Sequence, residues 1–186
     1  LLAAGSGPIY QLCKAFRSDE LGRWHNPEFT LLEWYRPGFD DEALMDEVDA
    51  LLQAVLACPS AQRLSYAEAF QTYLGLDPLT ASLETLIQCA HNQGLSVIGA
   101  NLGRDDWLQL LMSERIEPQL SRSQPVFIKD FPASQAALAR IQPHNPKVAA
   151  RFEVYVQGLE LANGYYELTD AQEQQHRFQA DLAKRQ

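Results

Sequence analysis

Between Phe29 and Tyr35 the chain reads Phe-Thr-Leu-Leu-Glu-Trp-Tyr, a run of aromatic, β-branched and aliphatic residues that suits a strand. A period of two places Phe29, Leu31, Glu33 and Tyr35 on one face and Thr30, Leu32, Trp34 and Arg36 on the other. An acid therefore shares a face with two aromatics. Pro8 to Phe16 reads as a second strand, and the polar loop from Ser18 to Pro27 carries Arg23 and His25, with Arg17 at its entrance. The simplest arrangement is an antiparallel hairpin with a cationic tip. Arginine binds phosphate oxygens through two parallel hydrogen bonds and a phenylalanine ring offers a face for a base, so the stretch suits a nucleotide. A hairpin with an ordinary charged loop has the same spacing, and the spacing alone leaves both readings open.

Downstream, Asp40-Asp41-Glu42 puts acids at a helix N-terminus, where they complement the dipole, and Leu44, Val48, Leu51 and Val55 follow at helical spacing. Ser65 and Glu68 form a capping box for a short helix ending at Gly75, and Asp77-Pro78 breaks the chain. A further helix carries Leu83, Leu86, Ile87 and Ala90, with Gly94 as its C′ residue, and another from Asp105 to Arg115 buries Trp107, Leu110 and Leu111. The region from about 40 to 124 thus reads as a helical insertion packed on a sheet, without chemistry of its own. His91 reads as an exposed helix residue, and His144 and His176 have no partners at metal-binding spacing.

Strands return at Pro125 to Phe131 and at Arg151 to Val156. A two-residue turn at Gln157-Gly158 would pair Val156 with Leu159, Tyr155 with Glu160 and Glu153 with Ala162, making Glu153 and Glu160 diagonal neighbours on one face. Two carboxylates at that distance repel unless a cation lies between them, and Mg²⁺, which takes one or two carboxylates plus phosphate oxygens, would serve. Two acids on a solvated sheet face are the alternative. Asn163-Gly164 reads as a tight turn that offers Asn163 and Glu167 to a common pocket, or as a surface turn with flanking acids. Thr169 and Gln172 form a capping box for a polar helix that runs to the end.

With 186 residues, 46% of them hydrophobic, and no Gly/Ser/Pro-rich linker, the sequence describes one domain with a substantial core. A net charge of -9 argues against a large nucleic-acid surface but leaves room for a local basic patch. Cys13, Cys58 and Cys89 are odd in number and widely spaced, which suggests neither a disulfide framework nor a zinc site. With no apolar leader or membrane-length run, the expected compartment is the cytoplasm and no membrane partner is expected.

Phe16-Arg17, an acidic loop and then His25-Asn26-Pro27-Glu28-Phe29-Thr30-Leu31-Leu32-Glu33-Trp34-Tyr35 resemble motif 2 (16–37) of class II aminoacyl-tRNA synthetases in the lysyl version. Glu160-Leu161-Ala162-Asn163-Gly164-Tyr165-Tyr166-Glu167 resembles the Glu-x-x-Asn-Gly-x-x-Glu segment of the same enzymes. Within the family, Glu33-Trp34-Tyr35-Arg36-Pro37 and Phe131 to Ala139 are similar to a paralogous branch that joins β-lysine to elongation factor P, and Trp24 stands between Arg23 and His25 where lysyl-tRNA synthetases place the arginine next to the histidine. The resemblance covers most of the chain and is weakest from about 40 to 124.

It implies an α+β fold, an antiparallel sheet of the class II catalytic core with a helical insertion, and motif 1 and motif 3 lying outside these residues, with a homodimer formed through motif 1. It implies ATP-dependent adenylation of lysine or β-lysine and transfer to elongation factor P rather than tRNA. A lysyl-tRNA synthetase core fragment and a non-catalytic lysine- or nucleotide-binding paralogue are the alternatives. Carried over by position, Arg17 holds the α-phosphate and the substrate carboxylate, Ser18 adjoins it, His25 meets the outer phosphates, and Phe29 lies under adenine with Asn26 and Asp19 at its edge. The family's usual residue at position 19 is Glu. Glu153 and Glu160 hold Mg²⁺, Glu160 and Leu161 lie near ATP, and Glu33, Tyr35, Asn163 and Glu167 (strands 147–168 for the last two) line the amino-acid pocket.

Overall fold

A computed structural model describes residues 1–18, 22, 25–96 and 102–184. They divide into two compact units, Leu1–Phe39 and Asp40–Gln186.

The first unit is the expected hairpin. Strands β1 (Ile9–Phe16) and β2 (Glu28–Tyr35) pair antiparallel without a break, from Ile9 opposite Tyr35 to Phe16 opposite Glu28. The Arg17 N–H extends the ladder by donating to the Pro27 carbonyl at 3.0 Å. Phe29, Leu31 and Tyr35 are half-buried, while on the opposite face Tyr10, Leu12, Phe16 and Leu32 remain exposed.

The second unit is built on a five-stranded sheet of β3 (Gln62–Ser65), β4 (Val126–Pro132), β5 (Ile141–Gln142), β6 (Asn145–Val156) and β7 (Leu159–Tyr165). The long strand β6 is its spine, pairing antiparallel with β4 on one side and with β5 and β7 on the other. Strand β3 pairs parallel with β4 and is not foreseen from sequence, because four residues are too few to show an alternation. Helices α1 (Asp41–Leu56), α2 (Tyr66–Leu74), α3 (Leu83–Asn92) and α4 (Arg104–Leu111) fill the predicted insertion, and α5 (Ala171–Lys184) follows the sheet.

Local signals set most boundaries. Asp40 caps α1 by accepting from the Ala43 N–H at 2.8 Å, and Ser65 and Glu68 make the reciprocal capping box of α2, which stops at Gly75 in the left-handed region. Two expectations need correction. The buried face of α1 is Met45, Val48 and Leu52, rotated from the predicted stripe, so that Leu51 and Val55 stay exposed; the buried Asp49 instead accepts from Gln53, Ser60 and the Ala61 N–H and ties down the loop before β3. The cap of α5 is Asp170, which accepts from the Gln172 and Glu173 N–H groups, while Thr169 is taken by Arg140.

The predicted helix at Asp105–Arg115 is α-helical only to Leu111 and then widens into a π-helical turn, Met112–Ile116. The wider turn buries Ile116 in place of Arg115 and delivers the chain to Glu117. Tyr66, Phe70, Leu86, Trp107, Leu108, Leu111 and Ile116 then pack on Val126, Ile128, Phe131 and Tyr155 of the sheet. Among the described residues, no helix is long and apolar enough to cross a membrane.

Gly164 lies near the end of β7, opposite Phe152, and a Cβ there would stand 2.9 Å from one ring Cε and closer still to Cζ. The ring itself is buried and edge-on to Phe127 at 5.5 Å between centroids. Gly164→Ala in the full-length protein is therefore expected to lower stability by about 1–3 kcal/mol in urea unfolding, the cost of overpacking a filled core. Phe152→Leu in the same background should recover much of that loss; equal loss with and without it would place the strain elsewhere.

Candidate active site

In the hairpin, alternation brings the predicted side chains to one face. The Arg17 guanidinium lies over the Phe29 ring, 5.2 Å from its centroid, joining cation and ring in the combination suited to a nucleotide. Two residues apart on the same face, the Tyr35 hydroxyl donates to Glu33 at 2.5 Å, which fixes the carboxylate's direction and leaves it lone pairs for an ammonium group. Ser18, His25 and Asn26 are exposed around the loop, where Gly22 and His25 exchange backbone hydrogen bonds. Asp19, Arg23 and Trp24 lie outside the described residues.

In the second unit the turn at Gln157-Gly158 forms as expected: both residues have positive φ, 55° and 82°, the requirement of a two-residue primed turn. Val156 pairs with Leu159 and Tyr155 with Glu160. Beyond them the register shifts by one, since Leu161 is an extra residue in β7, and Glu153 faces Asn163 rather than Ala162. Asn163-Gly164 is correspondingly not a turn. It is strand, and Asn163 and Glu167 reach a common side because they lie four residues apart along extended backbone.

The bulge changes what one face carries. Glu160 and Asn163 are separated by an odd number and would point to opposite faces of a regular strand; the extra residue puts both beside Glu153. Glu153 is buried at 8% exposure and each of its oxygens has a donor: Arg151 Nη2 at 2.6 Å on Oε1 and the Tyr155 hydroxyl at 2.6 Å on Oε2. Arg151 is held in turn by the Gln135 carbonyl at 2.7 Å and by the Phe131 ring, 4.6 Å away. Glu117, arriving from the π-turn, lies 3.3 Å from the Tyr155 hydroxyl as a third carboxylate. Burial first, then Glu153 and Glu114, raise its pKa, although Tyr155 opposes this.

Glu160 shows the consequence. Burial, then the charges of Glu153 and Glu117, push its pKa up to about 7, against the opposing influence of Arg151 and Asn163. The cation that sequence reasoning required between the carboxylates is in part Arg151. It offsets Glu153 and leaves the charge of Glu160 in excess. Among the described residues no three His, Cys, Asp or Glu side chains form a metal-binding group. A two-carboxylate site completed by phosphate oxygens, the habit of Mg²⁺, fits this donor set.

Arg151 and Tyr155 were legible as companions of Glu153, since residues two apart in a strand share a face. Glu117 had no such signal, lying in a turn outside the strand pattern. Leu161 and Asn163 are exposed, and Glu167 is half-buried past the end of β7.

These features define a class II synthetase core, and the profile of tRNA synthetases class II (D, K and N) matches residues 1–186: the chain belongs to that family. It is 60% identical over all 186 residues to an elongation factor P–(R)-β-lysine ligase of Vibrio cholerae and 56% identical over 186 residues to one of Hamiltonella defensa. A ligase of the same description from Pseudoalteromonas translucida is 58% identical over 182 residues, 97% of this chain. The chain spans 57%, 57% and 56% of the lengths of these three curated relatives, respectively.

Proposed function

We propose that the protein containing this chain activates (R)-β-lysine, or a close lysine analogue, with ATP and transfers it to a lysine ε-amine of elongation factor P. The observation that carries this reading is the acidic sheet face, Glu153, Glu160 and Asn163 brought together by the bulge. It suits a substrate that brings phosphates, a metal and ammonium groups. The identity to ligases of that description across the whole chain supports it.

In the first half-reaction the substrate carboxylate attacks the α-phosphorus of ATP, the bond to the β-phosphate oxygen breaks, and pyrophosphate leaves. The attacking group is already an anion, so no general base is needed; the protein positions the reactants and offsets charge. Arg17 binds the α-phosphate and the substrate carboxylate, His25 the outer phosphates, with Ser18, Asp19, Asn26 and Leu161 lining the nucleotide and Phe29 under the base. Glu153 and Glu160 would hold Mg²⁺, which when bound neutralises phosphate charge. In the first unit Glu33 and Tyr35, and in the second Asn163 and Glu167, are the acceptors each unit offers to the substrate's ammonium groups. In the second half-reaction the ε-amine attacks the acyl carbon and AMP leaves.

The acceptor assay tests the reading. Full-length protein, ATP and labelled (R)-β-lysine, offered elongation factor P and tRNA at matched concentration, are expected to label elongation factor P. Label on tRNA with elongation factor P unmodified would favour a lysyl-tRNA synthetase; label on neither, with nucleotide still bound, would favour a non-catalytic paralogue.

A further inference from the structure

The segment Leu138–Arg140 is laid between β6 and the stretch that follows β7. The Arg140 N–H donates to the Tyr166 carbonyl at 2.8 Å, its carbonyl accepts from the Ala150 N–H at 2.8 Å, and Leu168 N–H donates to the Leu138 carbonyl at 2.8 Å. Ala139 forms a β-bridge with Glu167. The side chain of Arg140 then turns back onto the same stretch: Nε donates to the Glu167 carbonyl at 2.7 Å, Nη2 to Thr169 Oγ1 at 2.9 Å, and the guanidinium plane lies 4.1 Å from the centroid of the Tyr166 ring.

A second arginine braces the first from behind. Arg177 of α5 donates Nη1 to the carbonyls of Ala137 and Ala139, at 3.0 and 2.8 Å, while its Nε is held by Glu173 at 2.9 Å. Ala137 has φ of +49°, a conformation that alanine adopts only when its surroundings require it. One planar, permanently charged fork, Arg140, thus holds the backbone at Glu167, and a second, Arg177, holds the facing Ala137–Ala139 segment, while Glu167 itself lies past the end of β7.

We propose that Arg140 is a positioning residue for substrate selection: by clamping the Glu167 carbonyl, Thr169 and the Tyr166 ring it holds the Glu167 carboxylate where an ammonium group is recognised, and Arg177 secures that clamp through Ala137 and Ala139. The inference rests on the reading of Glu167 as a substrate-binding residue. A carboxylate on free chain past a strand end selects poorly, because a shift of an ångström misplaces the charge that distinguishes an amine from a methyl group.

The test uses the full-length protein and ATP–pyrophosphate exchange, with lysine, β-lysine and norleucine as alternative substrates. Arg140→Ala is expected to raise KM for the diamino substrates on the order of tenfold, leave KM for ATP unchanged, and reduce the preference for lysine over norleucine by a similar factor. Arg140→Lys, which keeps one donor for the Glu167 carbonyl, should recover part of the preference. Unchanged kinetics, or KM for ATP and amino acid rising together with the preference intact, would overturn the proposal and leave Arg140 a structural residue. If Arg140→Ala does not fold, Arg140→Lys and Thr169→Val are read by the same preference ratio, and two unaltered ratios count against it. Glu167→Gln separates the two levels: a lysine preference that survives that change refutes the reading of Glu167, whatever Arg140 does.

Discussion

Arg17→Ala in the full-length protein is expected to slow ATP–pyrophosphate exchange by roughly two to three orders of magnitude, the scale of losing one charge partner of the transition state. The residue stands at the point where β1 enters the loop, its backbone held by Pro27 and its guanidinium laid over Phe29. Those contacts orient the fork before a ligand arrives, so little ordering is needed when phosphate binds. Arg17→Lys should recover only a small part, because an ammonium cannot bridge two oxygens in one plane or stack on the ring in the same way. Exchange at the unaltered rate in Arg17→Ala would remove Arg17 from the chemistry.

The second large effect concerns the carboxylate pair, whose members should behave oppositely in stability while sharing a loss of activity. Glu153→Gln and Glu160→Gln are each expected to abolish metal-dependent exchange. In the absence of ligands, Glu153→Gln should destabilise the protein by about 2 kcal/mol, since Arg151 and Tyr155 both donate to that carboxylate and one of them is charged. Glu160→Gln should do the reverse at neutral and alkaline pH. The Glu160 pKa is raised in the fold, to about 7 from the 4.5 of the unfolded chain, so the native state holds its proton more tightly. Its contribution to stability is fully present below pH 4.5 and is lost as pH rises through about 7. The Glu160 residue is exposed, so solvent screens the repulsion and the effect on stability is small. Melting temperatures of metal-free protein at pH 5.5 and pH 8 decide it: Glu160→Gln should lessen the fall between them, and an unchanged fall would show that the repulsion among Glu153, Glu117 and Glu160 is not what titrates there.

Much of the architecture was legible because it rests on short-range physics. Alternation over Phe29–Tyr35 marked the second strand of the hairpin and which of its side chains share a face, Ser65 with Glu68 marked the start of α2, and Gln157-Gly158 marked the turn that joins β6 to β7. The α+β class followed from these pieces together with the family resemblance. Other features depended on contacts distant in sequence. The parallel pairing of β3 needs β4, some sixty residues away, and the burial of Met45 in place of Leu51 depends on which side of α1 meets the sheet. Asn163-Gly164 was misread because that dipeptide favours a turn when nothing else intervenes; here Phe152 needs a neighbour without a Cβ, and that demand explains the glycine. In the site, Arg151 and Tyr155 were within reach of the alternation argument, whereas Glu117 arrives by way of a π-turn that no local pattern announces.

The extra residue at Leu161 makes the hairpin a matter of parity. Upstream of it, the acidic face is occupied by Arg151, Glu153 and Tyr155, all odd; across the turn it begins with the even Glu160 and, after one odd step, continues through Asn163. Every position beyond the bulge, Glu167 included, inherits its side from that single count. Removing Leu161 alone would restore regular alternation and leave Asn163 opposite Glu153, whereas removing both residues between Glu160 and Asn163 would set Asn163 opposite Val154 and exchange the polar row for its neighbours. Leu161 itself is exposed, so its effect on the face comes through the bulge it makes in the strand and not through packing of its side chain.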